Sequence, residues 1–149
     1  MISVTGRVDA PPAAVWAYLS EPGRLVRLNP DLIEMRGLDP VGPLHTGQRW
    51  VERSRTPLGD QELQTRVIEV DPEGLRIRLE SRGPMGTRIQ GGLQLAAVGG
   101  ATEVTMEHRL TLPGGPLMSG AATALLAGRV RQGSEGALAR LAAGVKQVP

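Results

Sequence analysis

Asp9-Ala10-Pro11-Pro12-Ala13-Ala14-Val15-Trp16-Ala17-Tyr18-Leu19-Ser20 follows directly on Ser3-Val4-Thr5-Gly6-Arg7-Val8, and the change between the two stretches sets the order of elements. The earlier stretch alternates polar and apolar residues, as a strand wetted on one face does. In the later one Asp9 is placed to cap a helix. The two prolines suit its first turn, where an amide has no backbone partner anyway. Val15, Trp16 and Leu19 then share one helical face. The spacing predicts strand and then helix, with Trp16 in the core and Tyr18 facing elsewhere.

Further along, turns divide the chain. Thr56-Pro57-Leu58-Gly59, Asp71-Pro72-Glu73-Gly74 and Gly83-Pro84-Met85-Gly86 each place Pro second and Gly fourth, a pattern that suits a type I turn. Val98-Gly99-Gly100-Ala101 carries a glycine pair that closes a tight hairpin. The runs between them, Gln48 to Arg55, Asp60 to Val70, Leu75 to Arg82, Thr87 to Ala97 and Thr102 to Leu112, form an antiparallel meander. Alternation assigns Leu63, Thr65, Val67, Leu75, Ile77, Leu79, Ile89, Leu93, Leu95, Val104, Met106, His108 and Leu110 to one dry face. Arg53, Arg55, Arg66, Arg76, Arg78, Arg82 and Arg88 fall on the other, interleaved with Glu62, Glu80, Glu103 and Glu107.

A dry face this wide needs a cover. Only Pro116 to Val145 is long enough, with Met118, Ala122, Leu125, Arg129, Leu138, Leu141 and Val145 along one stripe. Five glycines in that segment each cost ~1 kcal/mol relative to Ala in a helix, which predicts a soft or kinked stretch near Gly133-Ser134-Glu135-Gly136.

Composition excludes several classes. The 149 residues form one domain by length, 1–149, with no linker or repeat. There is no Phe, one Tyr and two Trp, so Leu, Val, Ile, Met and Ala build the core. The absence of Cys removes disulfides, thiol nucleophiles and thiolate metal sites, and fits a cytoplasmic setting. No apolar run approaches the ~20 residues needed to cross a bilayer, and no signal peptide is visible. A net charge of +2 falls well short of a nucleic-acid-binding excess, and three aromatics leave almost no stacking platform for single strands.

Catalytic signatures are sparse. His45 and His108 cannot make a three-histidine zinc site, and no HExxH, GxSxG or phosphate-binding glycine loop follows a strand. Glu52 and Glu69 read as single carboxylates. His108 shares its face with Val104, Met106 and Leu110 and so points toward the terminal helix. Arg129, on that helix, is placed to face the same space, where a buried guanidinium requires a partner. Trp50 stands near the mouth of that space.

Ala10-Pro11 with Val15-Trp16, Ser20-Glu21-Pro22, Gly47-Gln48-Arg49-Trp50, Val67-Ile68-Glu69-Val70-Asp71-Pro72 and Gly100-Ala101-Thr102-Glu103-Val104 recur in an order that resembles the START-like (SRPBCC) superfamily. The similarity is to its polyketide cyclase/dehydrase and lipid-transport branch and spans nearly the whole chain. The resemblance implies an α+β helix-grip fold: a curved antiparallel sheet wrapped around a long C-terminal helix, with two short helices after the first strand, the second near Pro22 to Leu28. It further implies an apolar cavity between sheet and helix that takes a lipid, isoprenoid, polyketide or aromatic compound. Trp50, Leu63, Ile77, Leu79, Ile89, Leu93, Met106, His108, Leu110, Leu125 and Arg129 are the expected lining, with no cofactor, no metal and no assigned catalytic residue. A cyclase/dehydrase using the same pocket, and a protein- or RNA-binding module using the arginine-rich face, are the alternatives. A monomer or homodimer is expected.

Overall fold

A computed structural model describes residues 1–56, 59–111 and 120–148, with residues 120–126 described as helix without their side chains. In chain order the elements are β1 (Ile2–Val8), α1 (Pro12–Leu19), α2 (Pro22–Val26), β2 (Leu32–Asp39), β3 (Arg49–Thr56), β4 (Gly59–Asp71), β5 (Arg76–Arg82), a 3₁₀ turn (Pro84–Gly86), β6 (Arg88–Val98), β7 (Ala101–Thr111) and α3 (Gly120–Gln147). The strands form one antiparallel sheet in the order β1-β7-β6-β5-β4-β3-β2. This is the expected α+β helix-grip arrangement, with both short helices after the first strand.

The meander and its two faces stand as the alternation predicts. Register pairs Trp50 with Thr65, Thr65 with Ser81, Ser81 with Ile89 and Ile89 with Leu110, all on the face toward α3. The arginines face the other way, and Arg53, Arg76, Arg82 and Arg88 of the predicted seven stand in ion pairs with Glu34, Glu69 and Asp71, Glu80 and Glu80 respectively. The pairs of Arg53 and Arg76 are largely exposed and contribute fractions of a kcal/mol each, whereas Glu80 is buried beneath Arg82 and Arg88. Register shifts in β2 and at Val67/Glu69 in β4 introduce the irregularities that bend a sheet.

Several local expectations are corrected. Asp9 does not cap α1: the cap position is Pro11, without a side-chain bond, and Asp9 pairs with Arg7. Tyr18 does not face away from the core but packs onto α3 beside Gly144, with Arg24 over its ring at 5.0 Å. The Gly83–Gly86 turn is not type I, because Met85 sits at φ 60°, a left-handed conformation. Strand β2 went unread; its Leu-Ile-Glu-Met-Arg-Gly-Leu-Asp sequence alternates only in part, and its pairing slips twice. α3 runs as hydrogen-bonded helix through Gly133–Gly136 with no break there. The expected turn at Pro57-Leu58, strand end at Leu112 and stripe residue Met118 lie outside the described residues, as do the side chains of Ala122 and Leu125.

The solid core occupies one end of the sandwich. Val8, Val15, Leu19, Trp50, Val67, Ile77, Leu93, Leu95, Val104, Met106, Leu141 and Val145 are all buried there. α3 packs chiefly on β1, with lesser contact to α1 and β7. Gly6 permits that approach: a methyl group in its place would stand 3.0 Å from Leu138 Cδ1.

Two helix glycines therefore carry opposite signs. A Cβ at Gly133 meets nothing within 4 Å, so Gly133→Ala is expected to stabilise the protein by about 1 kcal/mol through helix propensity. A Cβ at Gly144 would enter the Tyr18 phenol, so Gly144→Ala destabilises despite the same propensity gain. In a Tyr18→Ala background the Gly144→Ala effect should turn neutral or favourable. Equilibrium urea unfolding of the single and double variants measures all three.

Candidate functional site on the inner sheet face

Burial fades along β4, β5, β6 and β7, away from the solid core. Leu63, Leu79, Ile89 and Leu110 point to the α3 side yet remain half-buried, as does Met35 beside them on β2. Two contacts fix how α3 runs over this face. Leu138 lies against Gly6, which is paired with Val104, while Ser134 Oγ lies 3.2 Å from His108 Nδ1. Moving from Val104 to His108 along β7 thus means moving toward the N-terminus of α3. Its N-terminal half extends toward the half-buried end.

Two polar centres stand on this apolar wall. The first is built on β3, β4 and β5. Trp50 is buried and its indole Nε1 donates to Glu52 Oε2 at 3.0 Å. Thr65, also buried, donates its hydroxyl to the same oxygen at 2.6 Å, and Ser81 Oγ lies 2.8 Å from Thr65 Oγ1. Glu52 faces inward because Trp50, Glu52 and Ser54 share one side of β3. Among the described residues no cation pairs with it. Burial raises its pKa above the ordinary carboxyl value, and the bonds from Thr65 and Trp50 offset this only in part. Glu80 is the contrasting case on the outer face, where Arg88, aided by Arg82, holds its carboxyl down to about 2.

The second centre is His108. Its pKa is lowered by burial, so it stays neutral at pH 7, and Ser134, buried on α3, is its partner. Gly91, opposite on β6, makes room for the ring; a Cβ there would come within 3.3 Å of His108 Cδ2. Among the described residues, Glu52 and His108 are the two titratable side chains on the inner face, and no group of His, Asp and Glu is placed to hold a metal ion.

The structure places the expected lining residues as follows. Trp50, Ile77, Leu93 and Met106 are buried on the inner face, and Leu63, Leu79, Ile89, His108 and Leu110 are half-buried on it. The Leu125 side chain lies outside the described residues. Arg129 is exposed and not on the inner stripe. The buried and half-buried helix positions Val145, Leu141, Leu138, Ala137, Ser134, Val130 and Ala127 define a stripe that passes one position away from it, and one residue is ~100° of rotation. Glu52 was missed, although the signal was present: once Arg53 and Arg55 are assigned outward, period two turns Glu52 inward.

Glu52 binds its proton more tightly in the folded protein than in the unfolded chain, so stability falls as pH rises from the ordinary carboxyl range through the raised value. His108 acts oppositely: its contribution is present above pH 6.5 and is lost as pH falls toward its lowered value. Glu52→Gln should therefore be neutral or stabilising relative to the native protein near pH 8, and lose that advantage near pH 4. Urea midpoints of both proteins across this range test the sign.

Residues 1–146 match the family model described as polyketide cyclase / dehydrase and lipid transport. Among solved structures, TTHA0849 from Thermus thermophilus is 20% identical with a TM-score of 0.74, covering 97% of this chain and 95% of that one. The Zhui aromatase/cyclase from a Streptomyces species is 16% identical with a TM-score of 0.76, over 98% and 93% of the two chains. DynU16, from the dynemicin biosynthetic locus, is 20% identical at TM-score 0.67; the match covers 98% of this chain and 47% of that one. No curated protein matches. These likenesses share the helix-grip fold, and the match over residues 1–146 places the chain in the polyketide cyclase/dehydrase and lipid transport family of the SRPBCC superfamily.

Proposed function

We propose that this protein binds a small hydrophobic or amphipathic molecule, of lipid, isoprenoid, polyketide or aromatic type, between the inner sheet face and the N-terminal half of α3. The observation that carries this reading is the half-buried apolar end of the face: Leu63, Leu79, Ile89 and Leu110 keep solvent contact although all point to the helix side. An apolar ligand supplies the missing cover, and the few polar groups orient it. The family description supports such a ligand. On this reading the protein works as one domain in the cytoplasm, as a monomer or homodimer. Glu52 and His108 also favour a second reading, a cyclase/dehydrase-type enzyme in the same space, because both exchange protons with pKa values shifted by burial.

Filling the space separates a ligand site from a merely loose core. Leu79→Trp is expected to weaken binding of a solvatochromic apolar dye by about tenfold or more, about 1.4 kcal/mol, while Arg78→Ala on the outer face leaves it unchanged. Fluorescence titration reads both. Dye binding that survives Leu79→Trp but fails with Arg78→Ala would move the site to the outer face and end this reading. Native mass spectrometry of protein isolated from its own cells should show an added small mass.

A further inference from the structure

We propose that Glu52 and Ser81 form the recognition point for a hydrogen-bond donor, a hydroxyl or a protonated amine, carried on an otherwise apolar ligand. This rests on the reading of the inner face as a ligand site and specifies which end of the ligand meets β3–β5.

The direction of the protein's own hydrogen bonds decides the matter. Thr65 has one hydroxyl proton, and it goes to Glu52 Oε2. In the Thr65–Ser81 contact the proton must therefore come from Ser81. Trp50 Nε1 gives its only proton to Glu52 Oε2 as well. The chain Ser81 to Thr65 to Glu52, with Trp50 from the other side, thus engages every side-chain donor of the cluster. What it leaves for a ligand is acceptors: Glu52 Oε1, which has no partner among the described residues, and the remaining lone pairs of Ser81 Oγ. Both side chains are half-buried on the open end of the face, next to Met35, Leu63 and Ile89.

Charge acts in the same direction. Arg53, next to Glu52 on β3, and Arg36, on β2, are exposed and paired with Glu34 and Glu62. The residues beside Glu52 on neighbouring strands, Met35 and Leu63, are uncharged. Residues 112–126, which lead into and begin α3, carry no ionisable side chain in the sequence. An ionised Glu52 is therefore left for the ligand to answer: an ammonium neutralises it, a hydroxyl donates a hydrogen bond to it, and a carboxylate is repelled.

Naphthylmethylamine, naphthylmethanol and naphthoate, which share one skeleton, test this by titration of naphthalene fluorescence near pH 8. The amine and the alcohol are expected to bind at least about tenfold more tightly than the acid, and their relative affinities show which donor is preferred. In Glu52→Gln the amine should lose about tenfold and the acid should gain. Glutamine keeps an acceptor for Thr65 and Trp50, so folding should persist, and a thermal melt checks it. If that variant does not fold, the native protein decides through its pH profile. The amine's advantage should fade as pH falls through the titration of Glu52, which burial shifts upward. His108, the other titratable group on the inner face among the described residues, becomes cationic at lower pH and also opposes the amine; repeating the profile in His108→Asn removes that contribution. Naphthoate binding as tightly as the amine, or an unchanged amine affinity in folded Glu52→Gln, overturns this proposal alone. Binding of none of the three overturns the inner-face ligand site with it.

Discussion

α3 lies on the inner face of a seven-stranded sheet, chiefly against β1, and the rest of the molecule follows from an apolar core that closes at one end of the strands and thins toward the other. Where α3 and α1 meet β1 and β7, apolar side chains close on one another and the core is solid. Gly6 lets the helix in, and Leu138, Leu141 and Val145 fill the contact. Burial is less complete at the far end of the strands. There the strands still present Leu63, Leu79, Ile89 and Leu110, whose apolar area has a standing tendency to be covered at ~25 cal/mol per Å².

The same sheet treats two glutamates in opposite ways. Glu80, facing out, gathers Arg82, Arg88 and Gln90 and becomes a strong acid. Glu52, facing in, has only neutral donors, and burial makes it a weaker acid. The difference is one of parity along the strands, not of residue type. On the outer face Arg53, Arg76, Arg82 and Arg88 stand in ion pairs with carboxylates. On the inner face the uncompensated carboxylate remains poised for a change of protonation or for a partner from outside.

Period-two alternation made most of this legible. It separated the two faces over five strands because the meander is regular apart from the shift at Val67/Glu69 and its turns are marked by Pro and Gly. β2 escaped because an edge strand with two register slips has no clean alternation to read. Arg129 was placed inward because a long segment of Ala and Gly offers few large residues to fix the phase of a helix, and one residue of slip turns a side chain by ~100°. Tyr18 was placed outward by the spacing from Trp16, yet the space opened by Gly144 draws its ring onto α3. Glu52 was set aside as a lone carboxylate. Its importance comes from Thr65, 13 positions away, and from Ser81 beyond that, and such a chain exists only once the strands are in register.

Burial moves Glu52 and His108 toward one another: the acid becomes weaker and the base becomes weaker. In water the two would differ by about two pH units, and both shifts favour the uncharged form. Each side chain is anchored by a hydroxyl from a different element, Thr65 for Glu52 and Ser134 for His108, so neither is free to turn toward solvent. They stand four strands apart, roughly 19 Å along the sheet and less across its concave side, with Leu63, Leu79 and Ile89 between them. That separation is too great for one to act on the other directly, but it is on the scale of an elongated amphipathic molecule. A ligand lying over the leucines would meet a distinct polar group at each end, and its length and its two end groups together would set the specificity of the site.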